Sequence, residues 1–512
     1  MKGRIPIPSI LISSSSTHTH LIYAAVGASL SFYLYPLITG FENWTFLVII
    51  FIGFSVCAIS FFRVIVSYPL KASPLFLRIN LFLIAGIVGI YFGLSARASI
   101  IDLHIPLAQE QVFSLRGVLS DDPRAFNDSR GMGVLELSQA FGTGGLQTSA
   151  KGKVTVFFPS GTISGVKEFG RSSEIYVEGR LVSSDRGLIF RASEVHILNP
   201  APALEQFRTG FRKSVLEKFG IDEEQAIQPV WAGLASAMLL GIRDDLDVDL
   251  ATSFRRAGSS HVLSLSGLNL AILSGVIVFI LNKIFGIRIS SLIGAVFIIV
   301  YIFLAGSQAS LVRAGIMSLL GILALWGHLK KNPLSILSLA FLIQLIIKSE
   351  SGLSVSFIFS YLALAGILIT GQTIREILRG KVPNLLLAGF STSAGAFIAT
   401  SAAVAFYFGD LHPIGLIAGI IIMPLAAVFL LLAFISLVLI VIIPFLFIPL
   451  NFLLAFVYQV LEFIISFAGR APGIHTTSYI PVLIISILTI ILLEFIKYME
   501  RQRRRSIASF DT

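Results

Sequence analysis

The stretch HPIGLIAGIIIMPLAAVFLLLAF, residues 412–434, decides the fold class of this protein. It contains no Asp, Glu, Lys or Arg, and about 20 apolar residues are enough for a helix to cross the hydrocarbon core of a bilayer. Similar runs recur along the 512-residue chain, which is 55% hydrophobic and 13% charged. Soluble domains carry about 25% charged residues. The sequence therefore predicts a polytopic α-helical membrane protein.

About 12 apolar runs are long enough to be predicted as transmembrane helices. Residues 435–450 form a further apolar run, but Pro444 and Pro449 would break a straight helix there. The number of crossings around this run is therefore left open. The predicted spans are 21–39, 44–67, 77–96, 262–282, 289–306, 309–328, 333–348, 352–371, 385–408, 412–434, 451–468 and 479–498.

Residues 98–200 differ from the rest because they are polar, rich in glycine and free of long apolar runs. Alternation is clearest in 174–183, where Ile175, Val177 and Leu181 share one face. Five short strands in about a hundred residues suit a small all-β barrel of the OB type. The predicted strands are 111–120, 133–141, 152–160, 174–183 and 187–198.

The composition divides the chain into five predicted regions. Residues 201–225 look like an amphipathic helix, and the fourteen-residue apolar run PVWAGLASAMLLGI (229–242) is too short to span, which favours a re-entrant or interfacial helix. The regions are N-terminal spans at 1–97, an OB-like extracytoplasmic domain at 98–200, an amphipathic or re-entrant region at 201–260, a helical transmembrane domain at 261–500 and a basic cytoplasmic tail at 501–512.

Basic residues predict which loops face the cytoplasm. The net charge is +10, and Lys and Arg cluster on alternate loops if 98–200 lies outside. The tail RQRRR (501–505) then lies inside. The other predicted inner clusters are Lys2/Arg4, Lys71/Arg78, Lys283/Arg288, Lys330/Lys331 and Arg375/Arg379/Lys381.

The segment FRRAGSSHVLSLSGLNLAILSG, residues 254–275, combines charges, small residues and an apolar run. If 260–275 is a single helix, Ser260, Ser264, Gly267, Ala271 and Ser274 share one face. Small residues bring membrane helices close together, and geometry alone favours such packing. A polar path with little side-chain bulk is the alternative, and cations at the segment's start could simply extend to lipid headgroups.

This segment resembles the signature of the ComEC-type competence proteins, the DNA-uptake channels of natural transformation. The resemblance continues in GSQASLVRAGIMSLLGILA (306–324) and in residues 392–428, and it covers roughly 20–470. Members commonly have a second His directly after Ser-Gly-Leu, where this chain has Asn269. The matching residues are Phe254, Arg255, Arg256, Gly258, His261, Leu263, Ser266, Gly267 and Leu268.

The resemblance implies an inner-membrane channel that conducts single-stranded DNA into the cytoplasm. For Arg313, contact with the path and extension to the headgroups are weighed equally. Weak DNA contacts are expected on the outer domain, although Phe157 could instead belong to the barrel core. The predicted path residues are Arg255, Arg256, His261, Ser264, Ser266, Gly267, Asn269 and Arg313, and the predicted outer contacts are Lys153, Phe157, Tyr176 and Arg180.

No catalytic residues, metal site or cofactor are predicted, because the eight histidines are scattered and no nucleotide motif occurs. The family often carries a metallo-β-lactamase-like domain at its C-terminus, and because no HxHxDH-type metal cluster occurs up to Thr512, a form without that domain is expected. The resemblance thus implies a DNA-receptor protein, a cytoplasmic uptake ATPase and a separate nuclease as partners, beside membrane lipid. Oligomerisation is left open.

Two other functions remain alternatives at this stage. One is transport of a smaller anionic or lipidic solute on a competence-like fold, and the other is a membrane assembly role without transport. Fold alone does not decide among them.

Overall fold

The computed structural model describes residues 25–29, 105–125, 131–143, 145–159, 170–184, 187–221, 228–306, 308–329 and 332–508. Residues 25–29 are helical. The rest of the three spans predicted between 21 and 96 lies outside the described residues, so these spans stay predictions. The remaining described chain forms a small β barrel and a bundle of long apolar helices.

Five strands form the barrel, and each agrees with its predicted limits to within two residues. The first strand pairs with both the second and the fourth, which closes the sheet in the order β1-β4-β5-β3-β2-β1. Only β3 and β5 run parallel. This arrangement confirms the predicted OB-like barrel. The strands are β1 Val112–Leu119, β2 Gly131–Gly142, β3 Lys153–Phe158, β4 Glu174–Ser184 and β5 Gly187–Asn199.

Alternating apolar residues fill the barrel. Ile175 and Val177 are completely buried, and Leu181 packs against the same core, as the alternation in β4 predicts. A bulge lies between Glu178 and Gly179. A Cβ atom on Gly179 would lie 2.0 Å from a backbone oxygen of β5, so only glycine fits there.

Three short helices connect the barrel to the bundle: α1 Ala203–Lys218, α2 Ala232–Leu240 and α3 Val248–Arg256. Every residue of α2 is buried. At about 1.5 Å per residue, its 9 residues are too short to cross a bilayer. The apolar run at 229–242 therefore forms a buried short helix inside the protein.

Eight helices follow between residues 267 and 508. Seven of them are long and apolar enough to cross a membrane, and α6, with 15 residues, is shorter. These helices are α4 Gly267–Ala305, α5 Ala309–Trp326, α6 Pro333–Ile347, α7 Val355–Leu378, α8 Asn384–Phe408, α9 Gly415–Ile442, α10 Phe447–Ala468 and α11 Ile480–Ala508.

Helix α4 is a hairpin of two helices. Gly286 has φ 74° and ψ 165°, which breaks the helix at its centre. A Cβ atom on Gly294 would lie 2.5 Å from Val278, so the two halves pack side by side in opposite directions. With the two halves of α4 counted separately, the described residues between 267 and 508 form nine helices, and the number of crossings stays a prediction. Residues 435–450 form the end of α9, the turn Pro444–Leu446 and the start of α10, and contain no separate helix of spanning length.

The loops collect at the two ends of the bundle. At one end the strand Asp410–Leu411 pairs with Ile474–His475. Lys381 pairs with Glu500 at the other end. We call the first the outer end and the second the inner end, following the predicted positions of the basic loops. The barrel contacts the outer end, where Lys153 lies 3.7 Å from Glu350.

A buried cluster of charges, here called the clamp, joins the barrel to α1. Arg208 and Arg212 both donate hydrogen bonds to Asp122, and Arg208 also donates to Glu205 at 2.9 Å. Arg171 donates to the other Glu205 oxygen at 2.9 Å. Desolvation raises the pKa of Asp122, but Arg212 and Arg208 outweigh it, so this pKa is lowered overall. The clamp fixes the barrel on the helical region.

Candidate functional site

The motif segment 254–275 does not form one helix. Helix α3 ends at Arg256, and Gly258 then adopts φ 68° beside the backbone of Gly415. A 3₁₀ turn at Ser260–Leu263 follows, and α4 begins at Gly267. The single helix assumed for 260–275 is therefore wrong. The reason is local, since the Ser266 side chain accepts from the Asn269 N–H and so caps a new helix.

This change of conformation separates the small residues of the predicted stripe. Ser274 is buried, and its hydroxyl donates to the Leu270 carbonyl at 2.7 Å. Gly267 packs against α5, whereas Ala271 is exposed. Gly267, Ala271 and Ser274 still lie on one side of α4 but differ in burial, whereas Ser260 and Ser264 precede the helix, so the wheel over 260–275 does not describe the protein.

Arg255 and Arg256 are exposed at the end of α3. Among the described residues, no carboxylate lies within salt-bridge distance of either guanidinium. The charge of Arg255 acts on Asp410, whose pKa is lowered mainly by its hydrogen bond with His475 and to a smaller extent by Arg255. Two cations without close counter-ions thus mark the outer end of the bundle.

His261 lies between these arginines and the start of α4. Its side chain has solvent-accessible surface, yet it sits deep enough among protein atoms for desolvation to lower its pKa. His261 is thus a solvent-exposed polar group next to the two arginines in the chain. Because its pKa lies below the ordinary value near 6.5, His261 is neutral at pH 7.

The polar residues after His261 shape the backbone. The Ser264 hydroxyl donates to the His261 carbonyl at 2.7 Å. The Ser266 hydroxyl donates to Asn269 Oδ1 at 2.9 Å. Asn269 Nδ2 donates to the Met238 carbonyl at 3.1 Å, which ties α4 to the buried helix α2. Asn269 is itself buried, so it holds the site together from behind.

The structure brings Gly267 and Arg313 together. A Cβ atom on Gly267 would lie 2.8 Å from the Ala314 Cβ and 2.9 Å from an Arg313 guanidinium nitrogen. Both distances are shorter than real Cβ contacts. Glycine at this position therefore lets α4 and α5 approach closely, which is the packing interpretation of the motif.

Arg313 is only 8% exposed and does not extend to a headgroup region. Its guanidinium donates to the Ser360 carbonyl and lies 5.7 Å from the centre of the Tyr361 ring. The Tyr361 hydroxyl donates to Gln344 Oε1 at 2.9 Å, and Gln344 Nε2 donates to the Ala309 carbonyl at 3.0 Å. Two neutral groups of α7 thus hold the cation, and Gln344 of α6 links Tyr361 to the start of α5.

On the barrel, Phe157 and Arg180 belong to one row on the outer face. Val156 and Phe158 are buried, so Phe157 between them points outward and is not part of the core. Arg191 pairs with Phe157 on one side and with Arg180 on the other. We call Arg180, Arg191 and Phe157 the outer row. Sequence reasoning missed Arg191, although alternation beside the buried Phe190 places it outside.

The other two predicted barrel contacts are already engaged. Lys153 pairs with Glu350 on the bundle. Tyr176 donates its hydroxyl to Ser114 at 2.8 Å, and its ring packs edge-on against Phe141 at 5.5 Å between centroids. His196 lies near the same ring. These contacts leave Tyr176 less suited to base stacking than Phe157.

Within the described ranges, no group of three or more His, Cys, Asp and Glu side chains could hold a metal ion. The expected absence of a metal or cofactor stays a prediction for the whole chain.

The fold and this site define a polytopic helical membrane protein with an inserted five-stranded barrel and a cationic outer end. A family model described as "Competence protein" matches residues 238–503, more than half of the chain. The chain therefore belongs to the competence protein family, and it is a multi-pass protein of the bacterial inner membrane.

A weaker similarity extends to one curated relative. The chain is 26% identical over 222 residues to ComE operon protein 3 of Bacillus subtilis (strain 168). This match covers 40% of the chain and 28% of the relative. The similarity supports a role in DNA uptake, while the relative's full activity and partners stay proposals for this chain.

Proposed function

We propose that this protein conducts single-stranded DNA across the inner membrane into the cytoplasm during natural transformation. Support comes first from the exposed side chains of Arg255, Arg256 and His261, in the segment that carries the family resemblance. A phosphate chain cannot cross hydrocarbon without water and cations, because a charge at the bilayer centre costs several kcal/mol. The exposed polar and cationic side chains at the outer end provide a place where such a chain would enter.

Cations precede and follow His261 along the chain. Arg255 and Arg256 precede it and are exposed. Arg313 follows it and is buried four residues beyond the start of α5, or about 6 Å along that helix. The phosphate backbone dominates the affinity of proteins for nucleic acids. Cations from the surface to the interior would draw the backbone inward.

The outer row gives the barrel a role in binding the DNA strand. Phe157 offers a ring for base stacking, and the two arginines beside it can contact phosphates. Stacking contributes about 1–3 kcal/mol per base and requires unpaired bases, which favours single strands over duplex. The barrel would therefore present the strand to the bundle.

The chain has no nucleotide-binding motif, so the driving force would come from partners. A cytoplasmic uptake ATPase would pull the strand, a DNA-receptor protein would deliver it, and a separate nuclease would remove the complementary strand. These partners belong to the proposal.

The test is the double variant Arg255→Ala/Arg256→Ala, expressed at the native level. We expect uptake of labelled DNA and transformation to fall at least about tenfold, since losing two phosphate contacts weakens binding steeply. Protein abundance should not change, because exposed cations contribute little to stability. Lys213→Ala/Lys218→Ala is the matched control, since it removes the same charge from exposed positions on α1.

Normal transformation by the arginine variant at normal abundance would contradict the proposed entrance. Equal losses in both double variants would show that net charge matters and the position does not. If the arginine variant still takes up DNA but no longer takes up a small organic anion, the result would support the alternative transporter function.

A further inference from the structure

Several helices point their N-termini toward the outer end, and two of these N-termini lie close together. Ser310, in the first turn of α5, donates its hydroxyl to the Leu265 carbonyl at 2.8 Å, two residues before α4 begins. Each N-terminus carries a partial positive charge of roughly half a unit. The starts of α4 and α5 therefore place two positive helix ends side by side.

Backbone donors remain free at this place. In α4, Ser266 caps only the Asn269 N–H. Among the described residues, neither the Gly267 N–H nor the Leu268 N–H has a hydrogen-bond acceptor. In a helix these first groups need a partner from outside, which can be water, a side chain or a bound anion.

A buried cation points at the same place. One terminal nitrogen of Arg313 lies beside the first residue of α4. Arg313 is more than nine-tenths buried, its Nε has no hydrogen-bond partner, and no carboxylate of the described chain lies within salt-bridge distance of its guanidinium. A buried charge normally has a counter-ion. Its polar contacts are neutral, namely the Ser360 carbonyl and the Tyr361 ring.

A cation beside two positive helix ends is electrostatically unfavourable unless an anion compensates them. From this arrangement we infer a phosphate-binding site between Arg313 and the first turn of α4. The guanidinium would donate to the phosphate from below, and the Gly267 and Leu268 N–H groups would donate from the side. Gly267 is needed here because a side chain would displace the guanidinium. The site rests on the proposed function only in naming DNA as the source of the phosphate.

The site can be tested by the thermal stability of the purified full-length protein in zwitterionic nanodiscs. We expect inorganic phosphate, at constant ionic strength, to raise the Tm along a saturating curve, because a ligand of the folded state stabilises it by mass action. Phosphate salts also stabilise proteins without binding, and that effect does not saturate. A strictly linear rise with the wild type would overturn the site.

Arg313→Gln should lose the saturable rise, and Lys213→Ala/Lys218→Ala, which removes exposed charges outside the proposed site, should keep it. A folded Arg313→Gln protein with the full saturable rise would also overturn the site. If Arg313→Gln does not fold, the wild-type saturation curve decides alone.

Two further probes separate the sources of the phosphate. A short oligo-dT strand should give an Arg313-dependent rise if DNA occupies the site. Nanodiscs that contain phosphatidylglycerol should give it instead if a lipid headgroup does. The second result would support the phosphate site and contradict its link to DNA conduction. Loss of transformation in Arg255→Ala/Arg256→Ala tests the proposed function separately.

Discussion

Replacing Gly267 with Ala tests whether the start of α4 is a packing surface or the wall of a path. The new methyl group would lie 2.8 Å from the Ala314 Cβ and 2.9 Å from the Arg313 guanidinium. Extra carbon atoms in a packed interior cost about 1–3 kcal/mol, and here the closest neighbour is a rigid Cβ rather than a flexible side-chain end. We expect the ratio of folded to unfolded protein to fall roughly 5- to 150-fold.

The assay is denaturation of the purified protein in detergent, followed by tryptophan fluorescence, because Trp231 is completely buried and packs against Phe219. Gly275→Ala is the matched control on the same helix. No atom lies within 4 Å of its new Cβ, so it should be neutral or stabilising by about 0.5–1 kcal/mol. Adding Ala314→Gly to Gly267→Ala should restore part of the lost stability, since it removes the closer contact but itself costs about 0.5–1 kcal/mol as a glycine within a helix.

The packing argument would be refuted by a Gly267→Ala protein that is as stable as Gly275→Ala but does not take up DNA. That result would mean that Gly267 borders an open path rather than a neighbouring helix. A loss of stability without rescue by Ala314→Gly would place the conflict at Arg313.

Three further predictions concern the barrel and the topology. Asp122→Asn should break the clamp and lower the free energy of unfolding by about 3–5 kcal/mol, because it removes the carboxylate that pairs with buried arginines. Backbone hydrogen exchange should then become faster at β1 and α1. Since the pKa of Asp122 is lowered, the wild-type clamp should be intact above pH about 4 and weaken as the pH falls through that pKa. Hydrogen exchange at β1 and α1 that changes neither in the variant nor at low pH would contradict both statements. Phe157→Ala or Arg191→Ala should weaken binding of single-stranded oligonucleotides to the full-length protein. The control Arg116→Ala removes an arginine already paired with Glu174 and should not weaken binding. Tight binding of duplex but not of single strands would refute a stacking role. With Cys57 replaced, single cysteines at Asn127 and Asp410 should react with an impermeant thiol reagent from outside. Single cysteines at Lys331 and Ser506 should react only after permeabilisation.

The fold class depended on properties that are local in the sequence. An uncharged run such as 415–440 has to be helical in a bilayer, because no water is present to satisfy its backbone groups. Alternation along 174–183 likewise fixed which residues of β4 face the core, since successive side chains of a strand point to opposite faces. These features could be predicted from composition and period alone.

The start of α4 shows where such reasoning stops. Hydropathy continues without a break from Val262 into the helix, so the apolar run by itself suggested one helix. The Ser266 cap and the positive φ of Gly258 divide the segment, and the second depends on contact with Gly415, far away in the chain.

The candidate site depended almost entirely on tertiary structure. Sequence placed Arg313 in a span but could not say whether it reached the headgroups, because that depends on Gly267 and Ser360 in two other helices. Arg191 became part of a binding surface only when β5 paired with β3 and β4. Hydropathy and periodicity describe each segment by itself, whereas burial of a charge and assembly of a surface depend on which distant segments meet, and at what register.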